Sequence, residues 1–116
     1  MVIVLVRRFI RADREEEFLA RYRSHAPTNP AFKGEHLTKA SDDAGLPPRL
    51  RSFRLEEPSC VTYLHVSRWD SWQAFEKHFL EAYQSDFDPE IERRPRERIV
   101  LDVVRSASAG PGTSTA

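Results

Sequence analysis

Cys60-Val61-Thr62-Tyr63-Leu64-His65-Val66-Ser67-Arg68-Trp69-Asp70-Ser71-Trp72-Gln73-Ala74-Phe75-Glu76-Lys77-His78-Phe79 reads as a strand that runs directly into a helix. Up to Trp69 the segment is rich in Val, Thr and Tyr, which suit a pleated, half-buried surface. Asp70 or Ser71 then offers a side-chain oxygen to the first free N–H groups of a helix. Beyond that cap the apolar period changes from two to 3.6, and Trp72, Phe75, Phe79 and Tyr83 fall on one stripe. Strand, cap and helix in immediate succession are one half of a split β-α-β layout.

The other half lies upstream. Val2 to Phe9 is β-branched and almost continuously apolar, as in a strand covered on both faces. Asp13 reads as an N-cap completed by Glu16 three residues on, with Glu15 and Glu17 favoured by the helix dipole. Phe18, Leu19, Tyr22 and Ala26 follow at helical spacing, and Pro27 and Pro30 end that helix. Phe32 to Ala40 is the second strand, with Gly34 as a bulge position. Ser41 to Pro48 is loop by composition, and Arg49 to Glu56 alternates as a short edge strand before a turn at Pro58-Ser59. Downstream, Asp88-Pro89-Glu90 can start one helical turn, and Ile99 to Val104 is the last strand. The order is β-α-β-β-α-β with one extra short strand. This is the α+β ferredoxin-like sandwich, an antiparallel sheet with two helices on one face. Residues 1–105 form the domain, and the small, polar tail 106–116 is expected to be disordered.

Two helices cover one sheet face, yet the first strand is apolar on both. Val2, Val4 and Val6 point one way; Ile3, Leu5 and Phe9 point the other. A second copy related by a two-fold axis is the simplest cover for the second set, so a homodimer is expected. The alternative is a monomer with that face half wet.

Composition narrows the partners. With 116 residues, 18 basic and 18 acidic, the chain is formally neutral. It lacks the basic footprint of a nucleic-acid binder. No run approaches the ~20 apolar residues of a membrane span. Arg7 and Arg8 follow the apolar N-terminus instead of preceding it, so no signal peptide is read and the cytoplasm is the expected location. Cys60 is alone, which excludes an intrachain disulfide. Four His without paired spacing and a single Cys make a metal site unexpected, and four Gly in all leave no Gly-rich phosphate loop. Arg49, Arg51 and Arg54 could meet an anionic substrate or protect a sheet edge; the second reading is preferred.

The stretch Thr62 to His78, with Trp69 ending a strand, Asp70-Ser71 capping, Phe75 inside the helix and His78 one turn on, resembles the antibiotic biosynthesis monooxygenase family. Pro30-Ala31-Phe32-Lys33-Gly34 is similar to that family's Pro-Gly-Phe turn, with Ala31 in place of Gly, and the element order matches from Val2 to Val104. The resemblance implies a dimeric α/β barrel and, in some members, oxidation of phenols or quinols by O2 without metal or flavin. Other members degrade haem and use an Asn near the end of the first strand. This chain reads Arg7-Arg8-Phe9 there, which weighs against haem. The long Ser41–Pro58 insertion also departs from the family pattern.

Strand alternation puts Val61, Tyr63, His65, Ser67 and Trp69 on one face, a mixture of aromatic, hydroxyl and imidazole groups that suits a pocket wall. Oxygenation without a cofactor needs a base to ionise the substrate, donors for the resulting anion, and exclusion of water. His65 is the candidate base, with Tyr63 and Trp69 as hydrogen-bond donors and wall. His36, Ser67 and His78 are the candidate substrate-binding residues. Each has a plainer alternative: a structural histidine at 65, a packing role for His78 at the helix flank. No cofactor is expected. The expected activity is a monooxygenase acting on an aromatic phenol, quinol or polyketide-like compound. The alternative is a non-catalytic dimeric module for a small hydrophobic ligand.

Overall fold

Strand β1 spans Val2–Arg11, β2 Phe32–Lys39, β3 Cys60–Trp69 and β4 Glu97–Asp102; helix α1 is Glu15–Arg21 and α2 is Trp72–Ala82. These come from a computed structural model that describes residues 1–23, 28–41, 43–51, 60–82 and 87–108. The strands form one sheet in the order β2-β3-β1-β4, every neighbouring pair antiparallel. The fold is the ferredoxin-like α+β sandwich. No helix among the described residues is long and apolar enough to cross a membrane.

Both helices lie on the face that carries Val2, Val4, Val6 and Ile10. Under α2, Trp69 is buried with the three valines, and Phe75, Ala74, Phe32 and Ala31 pack against them. Under α1, Phe18 is buried with Ile10, Tyr63 and Ile91. The opposite face carries Ile3 and Leu5, half-buried, beside exposed Ile99 and Leu101. Farther along that face, Phe9 is closed over by the guanidiniums of Arg7 and Arg94, 5.1 and 3.9 Å from its ring.

Ser71, not Asp70, caps α2: its Oγ accepts the Ala74 N–H at 3.2 Å. The Asp13 cap does not form. β1 runs on to Arg11, whose N–H reaches Ile91 O at 2.8 Å, and Ala12–Arg14 form a 3-10 turn before α1 begins. Neither flanking position, Arg11 or Arg14, makes a side-chain cap bond. Three glutamates in the first turn of α1 complement the positive end of its dipole instead. The helix stops at Arg21, and Tyr22 turns to an extended conformation. Leu19, expected on the inner stripe, is exposed, as is Trp72 in α2.

Two further expectations shift. Pro48–Arg51 are a 3-10 turn and not the start of an edge strand. β4 begins two residues before Ile99 and ends at Asp102, leaving Val104 exposed. Its early start follows from residues 91–93, which already bond to β1 through Arg93 N–H and Phe9 O, 2.8 Å. The turn at Asp88 forms, with Ile91 and Glu92 N–H both on Asp88 O. The expectations for Ala26, Pro27, Tyr83, the 52–59 segment and the tail from 109 lie outside the described residues.

Candidate active-site cleft

The two helix-covered clusters leave a cleft between them on the sheet, about 520 Å³ counting the solvent at its mouth. Its inner volume, without the open mouth, is about 70 Å³, smaller than the roughly 300–1,000 Å³ of drug-sized ligand sites. Val6 is part of its floor. Register places His65 and Arg98 on either side of Val6, one from β3 and one from β4. The two backbones are therefore about 10 Å apart, two strand spacings.

His65 does not act alone. Its Nε2 lies 2.5 Å from Oε2 of Glu35 on β2, both side chains about one-fifth exposed. Glu35 pairs with Ser67 and Leu37 with His65, so the two side chains are diagonal neighbours on one sheet face, close enough for long side chains to meet. A carboxylate is acceptor-only. With Glu35 ionised, Nε2 carries the proton and Nδ1 becomes the basic nitrogen.

Aromatic rings form much of the remaining wall. Tyr22, freed by the early end of α1, stands edge-on to His65 at 6.0 Å. Phe75 and Phe79 of α2 stack at 6.1 Å, and the Arg98 guanidinium lies 4.5 Å over Phe79.

Beneath the cleft is a charged group that has to be paired. Glu92 is 0% exposed. Its carboxylate accepts Arg96 Nε at 3.0–3.1 Å, Arg96 Nη2 at 2.9 Å, Arg8 Nη2 at 3.2 Å and the Asp88 N–H at 3.2 Å. A buried carboxylate is tolerable with this many charge-assisted bonds, and removing one partner would be strongly destabilising. Arg8 also lies 4.6 Å over the Phe18 ring. Burial, and next the proximity of Arg96, hold its guanidinium below its ordinary pKa, with Glu92 opposing both.

The expected site residues divide. His65 lines the cleft. Tyr63 and Trp69 share its sheet face but do not line the cleft, and their donors are used elsewhere. The Tyr63 hydroxyl donates to the Glu15 carboxylate. Burial and that hydrogen bond push the phenol's pKa well above its ordinary value. Trp69 is 2% exposed. Its Nε1 donates to Ser67 Oγ at 3.0 Å, and its ring meets Phe32, Phe75 and His78. Ser67 is buried and oriented toward Trp69, not toward a ligand. His78 packs on Trp69 with ring centroids 5.4 Å apart and does not line the cleft.

His36 is on the other face of the sheet, exposed and paired with Val66. The cause is Gly34. Phe32 pairs with Trp69 and Gly34 with Arg68, so one residue is skipped. Gly34 has φ +131°, and a Cβ there would come within 2.8 Å of Arg68 Nη2. A bulge reverses the parity of every later residue in its strand. Counting alternately from Phe32 selects His36 for the helix face; the bulge puts Glu35 there. Glu35 was missed for this reason, and Tyr22, Arg96 and Arg98 were also not singled out as site residues. The bulge at Gly34 and the alternation Val2, Val4, Val6, Arg8 were the signals available for Glu35 and Arg8.

No protein-family model matches the sequence, and no curated protein matches it. Solved structures do. An arginine-to-serine mutant of MhuD, crystallised with two manganese protoporphyrin IX molecules bound per active site, superposes with a TM-score of 0.60 at 20% identity, covering 94% of this chain and 100% of that one. An antibiotic biosynthesis monooxygenase superposes at 0.57 with 14% identity, covering 90% of this chain and 100% of that one. A Bacillus cereus protein described as a candidate antibiotic biosynthesis monooxygenase gives 0.59 at 12% identity, covering 93% and 97%. At these identities the likeness concerns the backbone, over nearly its whole length. The chain has the fold of the antibiotic biosynthesis monooxygenases.

Proposed function

We propose that the chain is a monooxygenase that needs no bound cofactor and uses O2 on an aromatic phenol or quinol, with His65 as the base. The observation that carries this reading is the His65–Glu35 pair on the wall of an aromatic cleft. Glu35 holds the imidazole in the tautomer whose Nδ1 can accept a proton and stabilises the imidazolium that results. Ionising a phenolic substrate raises its electron density until it can donate an electron to O2. For a substrate with an activated CH2 the balance closes internally. The CH2 becomes C=O with one oxygen atom, and the second oxygen leaves as water with the two hydrogens. A substrate seated against the rings of Tyr22, Phe75 and Phe79 would displace water from the open cleft, which the reactive intermediate requires.

The test is oxygen uptake by purified protein with a panel of anthrones and hydroquinones, metals and flavin removed. Uptake of one O2 per CH2 oxidised is expected. His65→Ala should lower turnover by about two orders of magnitude with the fold intact, the usual consequence of losing a general base. Binding of the panel without any uptake would leave a ligand-binding module and refute catalysis.

A further inference from the structure

The polar groups around the cleft differ in how far the fold uses them. Its arginines are engaged: Arg8 and Arg96 on Glu92, Arg23 on the carbonyls of Ala20 and Tyr22, and Arg98 over the Phe79 ring. The His65–Glu35 pair is half used. One nitrogen of the imidazole and one oxygen of the carboxylate meet each other, Nε2 against Oε2. Among the described residues, the second atom of each, Nδ1 of His65 and Oε1 of Glu35, has no hydrogen-bond partner. Both side chains line the cleft. With Nε2 carrying the proton, Nδ1 is an acceptor, and an ionised carboxylate only accepts. The pair therefore offers a ligand two acceptors and no donor. The space beside it is small. The inner volume of about 70 Å³ is about half of the roughly 150 Å³ that encloses a benzene molecule. One aromatic ring can enter by an edge, against Tyr22, Phe75 and Phe79, and whatever else it carries stays in the open mouth.

We propose that the cleft recognises a 1,2-dihydroxybenzene ring, one hydroxyl donating to His65 Nδ1 and its neighbour to Glu35 Oε1. The inference rests on the reading of His65 given above and narrows its substrate class. The two acceptors flank a single hydrogen bond, so the donors that match them must be neighbours on the ligand as well. Hydroxyls on adjacent ring carbons share one ring edge, and each reaches its acceptor at about 2.8 Å. A 1,4-diol carries its hydroxyls at opposite ends, so when one meets the pair the other is left in the mouth. Glu35 then has two tasks. Through Oε2 it holds the imidazole, and through Oε1 it selects the substrate. A substrate that lacks the second hydroxyl leaves that carboxylate oxygen without its donor, which is how a polar site discriminates between close analogues.

The experiment measures binding under nitrogen, so it does not depend on turnover. Titrate catechol, 2-methoxyphenol, hydroquinone and benzamidine at pH 7, following the amide shifts of the protein by NMR. Catechol is expected to bind at least about tenfold more tightly than 2-methoxyphenol or hydroquinone, the effect of one hydrogen bond to a charged acceptor. Glu35→Met, similar in length but without a strong acceptor, should bring catechol to within about twofold of 2-methoxyphenol, with the circular dichroism unchanged. Equal affinity of catechol and either control for the unmodified protein overturns the proposal without any variant. So does a catechol preference that survives in Glu35→Met, and so does the absence of any shift with all four probes at millimolar concentration. Benzamidine, a cation with neighbouring N–H donors, is the charged probe; if it binds more tightly than catechol, the assignment to a neutral diol is wrong. Catechol preference without oxygen uptake by any phenol would keep this inference and sink the monooxygenase reading. Oxygen uptake with phenols and no catechol preference would do the reverse.

Discussion

Tyr63 shows how a side chain with chemical potential is drawn into structure. Its hydroxyl donates to Glu15, which also receives Lys39 Nζ at 2.7 Å. Lys39 first, and then Tyr63, hold the Glu15 carboxyl below the usual carboxylate range. A carboxyl whose folded pKa is depressed contributes stability above its unfolded pKa and loses it as pH falls through the folded value. The phenol, raised in the fold, contributes below the ordinary tyrosine pKa and loses that only in alkali. Tyr63→Phe should therefore cost about 1.5–3 kcal/mol near neutrality, the worth of a hydrogen bond to a charged group. The difference from the parent should stay flat across about pH 6 to 9 and shrink below about pH 4, as Glu15 protonates. Denaturant midpoints measured across pH check it; a difference that grows in acid would mean that Glu15 is not the partner. Which of these residues could be read from the chain depended on what alternation alone can say. It put Tyr63, His65, Ser67 and Trp69 on one face, as found. It could not say which of them a neighbouring acceptor would claim. Ser67, two residues from Trp69, takes the indole N–H, and Glu15, 48 positions from Tyr63, takes the phenol.

At the scale of the element, caps and bulges decide where side chains arrive. β3 was legible to the residue, because its Val-, Thr- and Tyr-rich run ends at Trp69, directly before the capped start of α2. β4 was displaced because its polar first residues, Glu97 and Arg98, carry no strand signature and are held by pairing with Arg7 and Val6. α1 was expected to be longer because local helix signals continue past Arg21. The chain leaves the helix at Tyr22, which then lines the cleft beside His65. The two proposed caps make opposite predictions. Ser71→Ala removes a hydrogen bond to the Ala74 N–H and should destabilise the protein by about 1 kcal/mol. Asp13→Ala removes no cap bond and should stay within roughly 0.5 kcal/mol, as a surface change does. Chemical denaturation of both variants side by side is the check, and a larger loss at Asp13 than at Ser71 would contradict the observed helix start.

At the scale of the whole molecule, no helix among the described residues covers the second sheet face. Ile3 and Leu5 on β1 adjoin Leu64 and Val66 on β3, and Ile99 and Leu101 on β4, so three strands present a continuous apolar surface. Ile99 is 53% and Leu101 39% exposed in the single chain. Antiparallel sheets commonly leave one face to water, but then that face alternates to polar residues; here the same strands are apolar on both sides. A sheet of four strands is about 19 Å wide, and ten residues extend it to roughly 30 Å. That footprint is at most about 570 Å² in projection, below the roughly 800 Å² per partner of a standard interface, so residues at the sheet ends would have to add to it. The occupant we expect is a second copy. The face is closed at one end by Arg7, paired with Glu97 at 2.6 Å, and by Arg94 over Phe9, which gives the apolar patch a polar rim at that end, as an interface between two copies would have. Sedimentation equilibrium at micromolar concentration should return about twice the 13.4 kDa chain mass. Leu101→Asp, on the edge strand where a charge is tolerated by the monomer, should return the single-chain mass while the far-ultraviolet circular dichroism stays unchanged. A parent protein that sediments as a monomer would show that the face stays in water or meets a different partner. A Leu101→Asp variant that remains dimeric would move the interface to another surface.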